Sequence, residues 1–409
     1  MSFPDVTESR RAELLERARR RCFFLDVGDA AARLCRANMP YGIAKIHWMQ
    51  ESLGIEPDAR YVSTPDSTVT RNRDRWPSGF GYGGVVEWSG SGMVPVELKP
   101  NCCGVLVAGL RDLPDLDGLR STVGRVARAE LDLEPVPARW DLDKGNHFLN
   151  LYEVPDPSVT GGCPWVVVMH SSGQELRYAS ELGPGLYLGG PATDGSLDAL
   201  VREIPTPFGV GLAVTGRDAR AYVEYTTMVE EYALRRREAY ARAIFGHGIE
   251  VLFNETHQGF DGPGRMRLGC YGLERRALPW VPVTLRADLP GYLVEPCELY
   301  SMAALEREGL VDRARAEGCL DCLLGAAVLP HGSGYAYPEA NGADVEVEDR
   351  GPGVPRRFRL GGGEWVESIR DLPYTYRGDE VIRRIEDLGA GRVVTELRLV
   401  ADLSRCVPG

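Results

Sequence analysis

Gly145-Asn146-His147-Phe148 places an imidazole beside a side-chain amide, just after a glycine. That combination favours a turn and a close approach of backbone to ligand. Four more of the six histidines sit in short, composition-biased motifs: Lys45-Ile46-His47-Trp48, Met169-His170-Ser171-Ser172-Gly173, Phe253-Asn254-Glu255-Thr256-His257 and Pro330-His331-Gly332-Ser333-Gly334. The sixth, His247, stands between Gly246 and Gly248 past a helical stretch, where a helix stop accounts for it. Five histidines in such company read as a site gathered from distant segments.

The chain has 409 residues, 44 % hydrophobic and 26 % charged, which is enough for a sizeable core. No apolar run approaches the roughly 18 residues of a membrane span. The N-terminal residues 1–5 lack a basic region followed by an apolar stretch, so the expectation is a cytoplasmic protein with reduced thiols and no membrane partner. Ten cysteines without regular spacing do not form a disulfide framework, and the lone pair Cys319 and Cys322 reads as small buried hydrophobes. The formal net charge is −12, and only three of the 47 basic residues are lysines: Lys45, Lys99 and Lys144. A general positive coat is excluded. The arginine clusters at 10–21, 71–75 and 235–237 remain as solvated faces or local polyanion contacts.

Residues 8–38 predict one or two amphipathic helices, with Leu14, Leu15, Ala18, Ala31 and Leu34 at helical intervals. From Pro77 to Leu110 short valine-rich runs between glycines predict compact β structure. Strands are expected at 165–169, 209–214 and 392–400, and helices at 218–245 and 380–388. Residues 341–364, rich in glycine and charge, read as a mobile loop. The fold class is α+β, with mixed sheets and surrounding helices around a central cleft.

Asn101-Cys102-Cys103-Gly104-Val105 lies between two strand-like runs and presents a thiol at a turn. One cysteine with His147 and His170 makes three-quarters of a tetrahedral metal shell. His331-Gly332-Ser333-Gly334 has a different chemistry: glycines let the backbone close around a phosphate, with amides pointing inward. No lysine opens a Lys-x-x-Gly motif, so His331 is the better candidate for a covalent nucleotidyl carrier, as a phosphoramidate.

The order of these motifs resembles the RtcB family of RNA-splicing ligases. Ile46-His47-Trp48 resembles its Met-Pro-Asp-x-His, Gly81-Tyr82-Gly83-Gly84-Val85 its Gly-Tyr-Gly-x-x-x-Gly-Gly-Val, and Asn101-Cys102-Cys103-Gly104-Val105 its Asp-Ile-Asn-Cys-Gly-Val. Gly145-Asn146-His147-Phe148 is similar to Gly-Gly-Asn-His-Phe, His170-Ser171-Ser172-Gly173 to His-Ser-Gly-Ser-Arg, Tyr232–Arg237 to Tyr-Ala-x-x-Asn-Arg, and His331–Gly334 to the guanylylated His-Gly-Ala-Gly. Tyr374–Val381 and Val407-Pro408-Gly409 resemble the family's terminal motifs.

The resemblance implies an RtcB-like fold in one catalytic domain over residues 1–409, with 1–38 as an N-terminal helical segment. It implies joining of RNA 3′-phosphate or 2′,3′-cyclic phosphate ends to 5′-hydroxyl ends, with GTP and Mn²⁺ or Zn²⁺. It makes His331 the nucleophile and Cys103 a bridging metal ligand, with His147 and His170 on separate metals. It sets Asn146, Phe148, Asn254, Gly332, Ser333, Gly334 and Tyr376 at the nucleotide, and Arg237 on RNA.

The departures are specific. Pro100 stands where the family has a metal-binding Asp, Lys45 where it has the Asp of the early motif, Tyr335 for an Arg, Asn150 for a Glu and Pro408 for a guanine-contacting Lys. The family's His before Asn becomes Phe253-Asn254 or, shifted by four, His257-Gln258, which makes His257 a further metal ligand. Two rival expectations follow: a relative that transfers a nucleotidyl group to a small phosphorylated or carboxylated molecule, and a non-catalytic nucleotide- or RNA-binding protein.

Overall fold

The consecutive valines of the middle of the chain belong to strands covered on both faces, where alternation of apolar and polar residues is not needed. The computed structural model describes residues 2–89, 92–190, 194–272, 279–286, 288–326, 328–340 and 342–404. Its largest sheet has seven antiparallel strands in the order Glu250–Thr256, Gly104–Leu110, Trp165–Ser171, Phe148–Glu153, Gly391–Asp402, Gly291–Pro296 and Val281–Thr284. A five-stranded sheet has the order Cys22–Phe23, Arg60–Thr68, Tyr82–Glu87, Arg265–Leu268 and Gln258–Phe260.

The period of two along each strand sorts side chains between layers. Val105, Val107, Val166 and Val168 face an apolar cluster shared with Val62 and Val85 of the five-stranded sheet. Their neighbours Leu106, Ala108, Val167 and Met169 face a second cluster with Leu119, Val123, Tyr240 and Ala241. Those last four come from helices Leu116–Val126 and Gly216–Phe245. On the five-stranded sheet Tyr61, Val86, Met266 and Leu268 pack with Leu14, Leu15, Met39 and Ile43. The chain is thus a mixed α+β protein, with two sheets sharing one core and helices outside them.

Helices Glu8–Arg20 and Ala30–Ser52 fill the expected N-terminal segment, and the second runs on past residue 38 through Pro40. It continues because its second half is held by packing: a Cβ on Gly42 would lie 2.6 Å from the Phe80 ring and 2.7 Å from the Gly79 carbonyl. The arginines of the first helix are spent on ion pairs, Arg11 with Asp349, Arg17 with Glu51 and Arg20 with Glu317. The stretch expected as a mobile loop holds an antiparallel hairpin instead. Val345–Glu348 pairs with Arg357–Leu360, opposing Glu346 to Arg359 and Glu348 to Arg357. Its charges are cross-strand partners, and Phe358 packs on Trp76 at 4.5 Å between ring centroids. Among the described residues no helix is long and apolar enough to cross a membrane.

Candidate metal centre and cavity

Cys103 is delivered by a constrained turn. Lys99 and Cys102 both take φ of 55°, a region that side chains with a Cβ rarely adopt. Gln258 holds the turn from both sides: its carbonyl accepts from Cys102 N at 3.0 Å, and its Nε2 donates to the Lys99 carbonyl at 2.6 Å. Cys103 N donates to Asn101 Oδ1 at 2.9 Å. The strand register then does the rest. Val105 and Phe148 both pair with His170, and Thr256 pairs with Gly104, so His170 and His257 arrive beside Cys103.

The ligand atoms of Cys103, His170 and His257 lie within 4.8 Å of one another, and all three residues are buried. His170 Nδ1 donates to the Asn146 carbonyl at 2.9 Å, which leaves Nε2 with its lone pair. That nitrogen is 3.3 Å from His257 Nε2, about the edge of a tetrahedral shell around a cation with ligands at roughly 2.0–2.1 Å. Burial, then the neighbouring imidazoles, push both rings well below the ordinary histidine range. His257 Nδ1 is buried without a hydrogen-bond partner. Neutral rings with facing nitrogens and a nearby thiol fit a metal ion.

His147 reaches Cys103 from the other side, with Nε2 3.5 Å from Sγ. Its Nδ1 lies 2.9 Å from Asp141 Oδ2, and Asp141 Oδ1 lies 2.9 Å from Arg236. These contacts have ion-pair distances, although neither carboxylate oxygen has hydrogen-bond geometry. Burial opposes the imidazolium, but Asp141 and then Cys103 overcome it and raise His147 to about 10. Burial would raise Asp141, but His147 and then Arg236 hold it down at about 2. Cys103 therefore stands between a three-donor group and a two-donor group, and the second is the poorer cation site.

His331 closes the centre. Its ring lies on that of His257, with centroids 3.8 Å apart and planes at 22°. Nδ1 donates to the Gly269 carbonyl at 2.8 Å, so Nε2 keeps a lone pair. Burial lowers the group to about 4, which keeps it neutral. Cys103, His147, His170 and His331 all line one cavity of about 710 Å³, as do Asn146, Phe148, Gly332, Ser333, Gly334 and Tyr376. His257 lies directly beneath, against His331.

Three expectations are corrected. Arg237 is buried at 0 % exposure, where RNA cannot touch it. Its Nε donates to Asn254 Oδ1 at 2.8 Å. Asn254 does not line the cavity, because its other end donates to the Leu234 carbonyl at 2.9 Å. His47 is buried in helix Ala30–Ser52 with Nε2 on the Ala59 carbonyl at 2.8 Å. Asp141 was missed, and Tyr82 and Arg75, read only as part of a glycine motif and of an arginine cluster, were not assigned to this site, since only the fold places them here. Val407-Pro408-Gly409 lies outside the described residues. No protein-family model matches this chain, and no curated protein matches it.

Proposed function

We propose that this protein has an RtcB-like fold and is a metal-dependent enzyme that carries a nucleotidyl group on His331 and uses it to join RNA 3′-phosphate and 5′-hydroxyl ends. The observation that carries this reading is the His331 ring, tied through Nδ1 to Gly269 and stacked on His257 at the wall of the cavity. A neutral imidazole with one nitrogen committed to a carbonyl presents the other as a nucleophile. In the proposed step Nε2 attacks the α-phosphorus of GTP, a P–N bond forms and pyrophosphate leaves. The Gly269 carbonyl favours the positive charge that then develops on the ring. The Gly332-Ser333-Gly334 loop suits the phosphates, and Phe148 and Tyr376 offer aromatic faces to the base.

Cys103, His170 and His257 are the residues to hold the metal. A donor set of one sulfur and two nitrogens without carboxylate suits Zn²⁺ better than the harder Mn²⁺. When bound, the ion would neutralise charge on the phosphate. A second reading, transfer to a small phosphorylated acceptor, is supported by the burial of Arg237, which removes the cation assigned to RNA.

The test is incubation with α-labelled GTP or ATP and Mn²⁺ or Zn²⁺. An acid-labile, base-stable adduct is expected in the wild type and not in His331→Ala. RNA with 3′-phosphate and 5′-hydroxyl ends should then discharge it. No adduct with any nucleoside triphosphate at millimolar concentration would sink both readings and leave a binding protein.

A further inference from the structure

Among the described residues Arg75, in the wall of the cavity, has no ion-pair partner. The residue is 3 % exposed. Its Nη2 donates to the Leu98 carbonyl at 2.9 Å, while Nη1 is buried with no hydrogen-bond partner. Asp74, its sequence neighbour, gives its two oxygens to Lys99 at 2.5 Å and Arg73 at 3.1 Å, and acts on Arg75 only at longer range. Among the described residues no carboxylate pairs with Arg75. Burial pulls its pKa down from the usual value. A guanidinium nevertheless stays charged, so the desolvation cost is borne without an ionic partner.

The surroundings point to what would supply the partner. Lys99 and Asn101 line the same cavity as Arg75, Cys103 and His331. Asn101 Oδ1 is occupied by Cys103 N, which leaves its amide nitrogen to donate. The Tyr82 ring stands between the two ends: its centroid is 6.0 Å from the Arg75 guanidinium carbon and 6.2 Å from the His331 centroid. The unpaired guanidinium of Arg75, an amide donor and Lys99, which is shared with Asp74, suit an oxyanion, and the guanidinium fork matches phosphate oxygens.

We propose that Arg75, with Lys99 lining the same cavity, is a phosphate seat. Its part in nucleotidyl transfer rests on the reading above; the binding of phosphate does not.

The full chain is titrated with inorganic phosphate by calorimetry, with and without EDTA, and its melting temperature is followed alongside. The wild type should bind phosphate and melt higher in it, EDTA present or not. Arg75→Met should bind at least tenfold more weakly and, in phosphate-free buffer, melt no lower than the wild type, because it removes an unpaired charge. A lower melting temperature with unchanged phosphate binding would show that Arg75 merely holds the Leu98 carbonyl, and would overturn the seat. If Arg75→Met does not fold, Arg75→Lys decides: it keeps the charge, loses the fork and should bind several-fold more weakly, and equal binding overturns the proposal. Acetate binding as tightly as phosphate would overturn the phosphate assignment. The His331 adduct is scored separately, so phosphate binding without adduct leaves the seat and removes the transfer, and adduct without phosphate binding does the reverse.

Discussion

His257 and His331 lie ring on ring, 3.8 Å between centroids, although 74 positions separate them in the numbering. One belongs to the three-donor group and the other lines the cavity, so Cys103, His170 and His257 would hold a cation beside the ring proposed to carry the phosphate. Electrostatic stabilisation of a charged phosphate needs that closeness, because the interaction weakens with distance and with intervening water.

Metal content is the most direct check. One Zn²⁺ or Mn²⁺ per chain should be retained by the wild type, because among the described residues only Cys103, His170 and His257 form a three-donor group. Substituting His257→Ala removes one of three donors and should lower affinity by at least tenfold, on the order of what outer-sphere losses alone produce. Elemental analysis giving two retained ions per chain would contradict the asymmetry between the two sides of Cys103.

Gly104 carries a steric prediction. A Cβ there would come within 2.4 Å of the Glu255 carbonyl and 2.6 Å of Arg237 Nη2. Gly104→Ala should therefore destabilise the chain by about 1–3 kcal/mol, as overpacking does, and should weaken metal binding through Cys103. Urea unfolding that superimposes on the wild type would show that the backbone yields freely.

The buried pair of Lys45 and Glu97 has Nζ 2.5 Å from Oε1, with both residues under 10 % exposed. Removing one partner leaves the other charge uncompensated. Glu97→Gln should cost about 3–5 kcal/mol, and denaturant midpoints would read it. Adding Lys45→Met should recover part of that loss, and no recovery would mean the lysine is not the group that suffers.

Asp66 sets a pH dependence. Burial raises its carboxyl from the ordinary 3.8 to about 7, against the hydroxyl of Thr64 and the charge of Arg377. Below about 4 the group is protonated in both states. As pH climbs from there to about 7 the unfolded chain gives up the proton and the folded chain keeps it, so this group's contribution to stability falls. Above about 7 both states are ionised and the loss is complete. Asp66→Asn should remove that fall, so its advantage over wild type in urea should be larger at pH 8 than at pH 4. Parallel pH profiles for the two proteins would refute the raised value.

Much of this centre could be read in the chain because turns and strands carry local signals. Leu14, Leu15 and Ala18 follow a helical period and are buried, and Val105 to Val107 reads as a strand and is one. Cys103, His147, His170, His257 and His331 announced themselves by their neighbours. What failed was anything that depends on which way a helix turns. Arg235, Arg236 and Arg237 are consecutive, and only the packed core decides that Arg235 is exposed while the other two are buried. The hairpin at 345–360 was hidden for a related reason, since charges that pair across strands are identical in sequence to charges that face water. Asp141 finds His147 through the loop between them, and Arg75 reaches the cavity through tertiary placement alone.

The strand Gly391–Asp402 occupies an interior place in the seven-stranded sheet, between Phe148–Glu153 and Gly291–Pro296. A ribosome making this protein therefore supplies this interior strand after the other six strands of the sheet. Until it does, the two flanking strands have open edges, which are templates for wrong pairing. A message cut short between codons 376 and 391 would yield a chain that already contains the thiol, the four imidazoles and the cavity-wall tyrosines Tyr335 and Tyr376, yet lacks the strand that joins its halves. Completeness of translation, more than the presence of reactive groups, decides whether a molecule of this protein can assemble its centre.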